Sequence, residues 1–316
     1  MLRKKEVLCF LATLACVFWT GQEQICGQEV VKGVISRKIF AGGDENKCYF
    51  LIGDDFKLRS PNATFGLVVV LPGGDGGEDF NPFVQRIFKN SLSDEYIVAQ
   101  LLAVKWKETQ GVVWPTEKVR AAEQEFSTEE FVKAVIEDVG SKRKLDRERI
   151  FTLSWSSGGP AGYAVSLDES IGVTGSYVAM SAFKPENLGS LESAKEHAYF
   201  IDHSPEDKIC LFRMAEEAEK VLVEKGAKVK LVTYEGGHGW RGNVYSRIRY
   251  GIRWLEKNHA KPKAPDATLE TKRPPAVVER IDYTVVREDF ERGIRTPKGW
   301  QKGAVVKGVS LSLIHI

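Results

Sequence analysis

The sequence predicts an α/β protein with a mostly parallel central sheet flanked by helices on both faces. Three observations predict it. Short β-branched and aromatic runs alternate with amphipathic stretches between about residues 65 and 258. One of those runs, Leu67 to Leu71, is aliphatic without a break, as suits a central strand covered on both sides. The chain, finally, is long enough at 316 residues to bury one sizeable core, and its 43% hydrophobic and 28% charged residues are those of a globular protein.

The elements follow in order. "RKIF" at 37–40 and "KCYFLIG" at 47–53 read as strands, and the turn chemistry of "AGGDEN" between them makes a hairpin. "FGLVVVL" is the first buried strand and ends abruptly in "PGGDGG"; "EYIVAQLLAV" at 95–104 is the next. In "STEEFVKAVIEDVG", Ser127 as N-cap and Glu130 three residues on form a capping-box signature. Phe131, Val135, Ile136 and Val139 share one helical face there, and Gly140 is the expected stop. "RIFTLS" at 149–154 is a strand leading through glycines into a helix from about Ser157. "GVTGSYVAMSA" and "HAYFIDHS" are two further strands, and "LFRMAEEAEKVLVEKG" is an amphipathic helix closed by Gly226. "AKVKLVTY" is one more strand. The last helix, "VYSRIRYGIRWLEKN", aligns Tyr245, Ile248, Ile252 and Leu255, with Asn243 as its expected cap.

The ends differ in composition from this body. A basic start followed by the apolar run from Val7 to Trp19, too short for a comfortable membrane span, reads as a signal peptide over residues 1–28. The expected location is therefore secreted or periplasmic, with no stable membrane span after its removal. The body between these ends occupies residues 29–259. Residues 260–316 are a Pro-rich linker and a C-terminal extension of unknown role. With cleavage expected between Gly21 and Gln28, Cys9 and Cys16 leave; Cys26, Cys48 and Cys210 remain where the cut precedes Cys26, and one disulfide is conceivable, with the pair not specified. A net charge of +2 offers no field for nucleic acid, so no nucleic-acid partner is expected.

The chemistry centres on "SWSSGG", with hydroxyls at Ser154, Ser156 and Ser157. A nucleophile on a sharp strand-to-helix turn needs small residues two before and two after it. Only Ser156 meets that demand, flanked by Ser154 and Gly158; centring on Ser157 would place Trp155 at the crowded position. A serine needs a base, and the base needs an acid to orient it. His238 stands in "YEGGHGW", a glycine-rich loop after the last predicted strand. "IDHSPED" offers the acid: Asp207 in the loop can swing toward His238, Glu206 is the second choice, and Asp202 belongs to the strand. Backbone donors for an oxyanion are available at Ser157 and in "LPGGDGG", at Gly74 or Asp75. That loop lacks the lysine and hydroxyl of a P-loop and the spacing of a dinucleotide fingerprint. Trp155, Trp240 and Trp106 are candidates to line a substrate pocket, with Trp114 nearby in sequence.

Together, "VVVLPGGDGG", "RIFTLSWSSGG", "HSPED" and "YEGGHGW", in this order, resemble the α/β-hydrolase family, nearest to its secreted esterase and phospholipase/carboxylesterase-like branch. The resemblance runs from about Phe65 to Asn258. Two departures stand out: Ser154 replaces the first elbow glycine, and Pro72 stands where many relatives carry histidine. The resemblance implies hydrolysis of a small-molecule or polymer-linked carboxylic ester through an acyl-enzyme, without metal or organic cofactor. Alternatives of other kinds are a serine peptidase of the same fold and a catalytically silent cell-envelope binding protein on a hydrolase scaffold.

Overall fold

The computed structural model describes residues 31–54 and 63–259, and the backbone of 305–306 and 309–310. The expected signal peptide, Cys26 and the Pro-rich linker lie outside the described residues. The chain divides into two compact units, Met1–Lys263 and Ala264–Ile316.

In the first unit eight strands form one sheet: β1 (Ser36–Phe40), β2 (Cys48–Ile52), β3 (Thr64–Leu71), β4 (Tyr96–Leu101), β5 (Lys144–Trp155), β6 (Gly175–Ala179), β7 (Ala198–His203) and β8 (Lys228–Thr233). Their spatial order is β1-β2-β4-β3-β5-β6-β7-β8. The β1–β2 hairpin pairs antiparallel, as does β2 with β4; every other pairing is parallel. Parallel neighbours need crossovers, and the helices supply them. They are α1 (Asn81–Ser91), α2 (Thr128–Lys142), α3 (Gly159–Ser166), α4 (Phe212–Glu224) and α5 (Val244–Asn258).

Alternation along the strands divides the core between the two faces. Val68, Val70, Leu153 and Tyr177 meet Val84 and Ile87 of α1 and Ile248, Ile252 and Leu255 of α5. Leu67, Val69, Leu71 and Ile97 point to the other side, against α2 and α3. There α4 covers the far strands through Ala215, Ala218 and Leu222, packed with Val178, Tyr199 and Ile201. Adjacent residues of β3 are thus buried on opposite faces, which is why that strand reads as an unbroken aliphatic run.

Several boundaries differ from the sequence expectation. Helix α1, in "NPFVQRIFKNS", was not anticipated, although Pro82 sits in its first turn and Val84 and Ile87 share its buried face. The capping box of α2 is formed in both directions, Ser127 Oγ accepting from Glu130 N–H at 3.1 Å and Glu130 Oε2 from Ser127 N–H at 2.9 Å. Gly140 does not stop that helix: Arg143 N–H still reaches the Val139 carbonyl at 2.9 Å. Arg143 is itself anchored on the buried Asp54 at 2.7 Å, which holds the last turn in place. Strand β5 begins five residues before the expected Arg149, because β3 continues to pair with Lys144 and Leu145 across a bulge. Asn243 occupies the N-cap of α5 with no side-chain cap bond. Cys48 and Cys210 are both free thiols. No helix of the described residues is long and apolar enough to cross a membrane. In the second unit, β9 (Val305–Val306) pairs antiparallel with β10 (Val309–Ser310).

Candidate active site

The turn after β5 carries Ser156. Its backbone is left-handed, with φ of 51°, a conformation that side chains other than glycine rarely adopt without support. Support comes from two sides. Ser181 Oγ donates to the Ser156 carbonyl at 2.9 Å. The glycines behind the turn let α3 sit directly on the sheet: a Cβ at Gly158 would lie 2.2 Å from the Leu71 carbonyl oxygen, and one at Gly159 would lie 1.9 Å from Ser181 Oγ. Ser154, two positions before the turn, fits for the same reason. Its hydroxyl occupies space left by Gly162, where a Cβ would come within 2.3 Å of Ser154 Oγ, and it reaches the Tyr177 carbonyl at 3.4 Å.

Ser156 Oγ lies 3.0 Å from His238 Nε2, and His238 Nδ1 lies 2.8 Å from Asp207 Oδ2. The three loops expected to converge do so. With a carboxylate facing Nδ1, that nitrogen carries the proton and donates, which leaves Nε2 to accept from the serine hydroxyl. The Asp207 carboxylate is buried, with Oδ1 accepting the N–H groups of Ile209 at 2.8 Å and Cys210 at 2.9 Å. Glu206, the second choice for the acid, instead accepts from Gly236 N–H at 3.2 Å. Asp202 is buried at the end of β7, bound to Tyr177 Oη at 2.8 Å and to Arg247 Nε at 3.0 Å. Burial pushes its carboxyl up, against the opposing pull of the Arg247 guanidinium.

Two supporting residues escaped sequence reasoning. His203 is buried, with Nε2 2.8 Å from the Cys210 carbonyl and 3.4 Å from Asp207 Oδ2, so a second imidazole braces the acid loop. Ser204 Oγ accepts from Gly237 N–H at 3.1 Å and from Glu206 N–H at 3.2 Å, tying the base loop to the acid loop. Both residues stand in "DHSPED", and their proximity to Asp207 was the available signal. Burial also raises the Cys210 thiol to about 11, with the Asp207 carboxylate adding to the effect.

Opposite the nucleophile, the glycine loop after β3 comes close: a Cβ on Gly73 would lie 2.9 Å from Ser156 Cβ. In a trans peptide an N–H points away from the carbonyl of the preceding residue. The Gly73 carbonyl accepts from Gly76 N–H at 3.0 Å inside the turn, so Gly74 N–H faces outward from it. The Gly74 carbonyl accepts from Ser157 Oγ at 2.8 Å, so the Asp75 amide is turned away from the elbow. Asp75 therefore leaves the set of oxyanion candidates; its carboxylate accepts from Gly77 N–H at 3.0 Å instead. Gly74 and Ser157 remain. The Ser157 amide lies in the first turn leading into α3, where N–H groups have no partner within the helix.

The tryptophans separate. Trp155 and Trp240 have ring centroids 5.7 Å apart, and Phe83 meets them at 5.9 and 5.7 Å. Phe80 stands 5.5 Å from Trp155 and beside Gly74. Trp155 is buried, whereas Phe80, Phe83 and Trp240 are half-buried. Trp106 is not part of this group. It packs on Phe126 at 4.9 Å across the opposite face of the sheet, where it lines a small cavity with Trp114. Past the end of β4, Leu102 packs on one face while Ala103, Val104 and Trp106 pack on the other, and sequence distance from a strand end does not tell which. Among the described residues no cluster of three or more His, Cys, Asp or Glu could hold a metal ion.

No family model matches the chain, and no curated protein does. Solved structures do. A carboxylesterase from Bacillus cereus is similar at TM-score 0.51 and 14% identity, covering 66% of this chain and 93% of its own. An α/β hydrolase enzyme from a Medee basin deep-sea metagenome library gives 0.51 and 13%, over 72% of this chain and 98% of its own. Dipeptidyl peptidase 4 of Porphyromonas gingivalis gives 0.51 and 12%, over 71% of this chain and 35% of its own. With this strand order, its helices on both faces and these neighbours, the chain has the α/β-hydrolase fold.

Proposed function

We propose that this protein is a serine hydrolase that cleaves carboxylic esters through an acyl-enzyme. The observation that carries the reading is the unbroken line from Ser156 Oγ to His238 Nε2 at 3.0 Å and from His238 Nδ1 to Asp207 at 2.8 Å. In this reading Ser156 Oγ attacks the ester carbonyl while His238 Nε2 takes its proton. Asp207 keeps the proton of Nδ1 in place and stabilises the imidazolium that forms. The amides of Gly74 and Ser157 receive the negative charge that develops on the carbonyl oxygen. Collapse of the tetrahedral intermediate expels the alcohol, which His238 protonates. Water, activated by the same imidazole, then releases the acid and restores Ser156.

The half-buried rings of Phe80, which lies beside Gly74, of Phe83, and of Trp240, two positions past His238, support an ester whose acyl or alcohol part is aromatic, of the feruloyl kind. Purified protein assayed with p-nitrophenyl acetate, with methyl ferulate and with an alkyl ester tests both levels. Ser156→Ala should lower turnover by about four orders of magnitude or more, with a fluorophosphonate probe no longer attached. Undiminished turnover in that variant overturns the hydrolase reading. A preference for the alkyl ester over the ferulate overturns the aromatic one.

A further inference from the structure

The loop that carries His238 is short of steric support. Gly236, Gly237, Gly239 and Gly242 all have positive φ, and a Cβ added at Gly239 would meet nothing within 4 Å. A backbone this permissive has many conformations open to it, and packing removes few of them. Something else must hold the imidazole within hydrogen-bond reach of Ser156.

We propose that Arg247, on α5, is a positioning residue that clamps this loop at both ends and so sets the place of His238. The proposal rests on reading His238 as the base. The Arg247 guanidinium lies over the Tyr234 ring at 4.4 Å, and Tyr234 is the residue from which the loop departs. Its Nη1 donates to the Arg241 carbonyl at 2.6 Å, three residues beyond His238. Its Nε donates to Asp202, at 3.0 Å to Oδ2 and 3.3 Å to Oδ1, and Asp202 is held by Tyr177 on β6. One planar group thus ties the start and the end of the loop to two strands and a helix of the sheet's frame.

The chemistry of the clamp is costly for a mere packing contact. Asp202 is fully buried, and Arg247 Nη2 is buried with no hydrogen-bond partner among the described residues. Hydrophobic residues of similar volume commonly serve stability as well as a buried ion pair does. A fork that joins a carboxylate, a carbonyl and a ring at fixed angles does what they cannot.

The test uses Arg247→Lys, whose single ammonium keeps the charge beside Asp202 but cannot reach the Arg241 carbonyl at the same time. A second chain carrying Asp202→Asn with Arg247→Met removes both charges, so that no buried carboxylate is stranded. Two readouts are taken on folded protein: ester turnover, and the low-field proton resonance of the His238–Asp207 hydrogen bond, identified by its absence from an Asp207→Ala chain. We expect kcat to fall by about 10- to 100-fold with KM within about twofold, and the resonance to broaden or vanish. If the lysine variant does not fold, the double variant decides. A sharp, unshifted resonance in either folded variant overturns the proposal. A parent protein that hydrolyses no ester would end the hydrolase reading, while the resonance would still decide the role of Arg247.

Discussion

Around Ser156 the backbone has no room for a single added carbon: at Gly158 it would lie 2.2 Å from the Leu71 carbonyl oxygen, and at Gly159 1.9 Å from Ser181 Oγ. Around His238 the same carbon at Gly237 would meet only the Glu206 carbonyl, at 3.5 Å, and at Gly239 nothing. The two loops end on one hydrogen bond, yet the elbow is held by close packing against β3 and β6. The base loop is held by polar contacts from Ser204, Glu206 and Arg247. Packing is indifferent to pH and resists small shifts; hydrogen bonds hold geometry only while each partner is present. The nucleophile should thus be lost together with the fold, and the base without it.

Substitutions in the two loops put that contrast at risk. Gly158→Ala should have the largest effect, because the atoms it meets are β3 backbone and cannot rotate aside. A loss of about 3 kcal/mol or more in urea unfolding is expected, with activity falling in step. A Gly158→Ala chain that unfolds like the parent would break the comparison. Ser204→Ala should act the other way round. It removes the acceptor for Gly237 N–H, and kcat should fall about tenfold while thermal stability moves by only about 1–2 kcal/mol, both read on the same preparation. Equal losses in stability and turnover there would erase the distinction.

A separate test concerns pH. His197, just before β7, is wholly buried, and its Nε2 lies 3.0 Å from Ser176 Oγ, which takes a hydrogen bond from Thr152 at 2.9 Å. A Ser176 hydroxyl donating to Nε2 suits a neutral ring. Burial pushes this imidazole down to about 3, below its ordinary 6.5. Between those values the unfolded chain binds the proton and the folded chain does not. Stability should therefore fall as pH drops from about 6.5 toward 3, by up to about 1.4 kcal/mol per pH unit. His197→Gln keeps a partner for Ser176 and should flatten this part of the acid limb, as melting at a series of pH values would reveal. An unchanged pH profile would remove His197 as its source.

What could be read in the sequence followed local rules. Strand alternation, the capping box at Ser127 and the demand for small residues around Ser156 act over a few positions, so composition alone carries them. Helix α1 was missed because it opens straight after a glycine-rich loop, which reads as a continued turn. The early start of β5 was missed because "KLDRE" is charged, and only pairing with β3 makes it a strand.

The sequence by itself determined the α/β alternation, the chain order of Ser156, Asp207 and His238, and the small residues flanking Ser156 that set it apart from its neighbouring hydroxyls. Those depend on period, spacing and side-chain size near the chain. The tertiary structure alone decided that the 156, 207 and 238 side chains meet, that the Gly74 carbonyl, and so not the Asp75 amide, faces Ser157, and that Trp106 packs on the far side of the sheet. It also brought Arg247 to Asp202, 45 positions away in the chain. Contacts of that kind depend on which face a residue joins and how a loop closes, and no local preference encodes either.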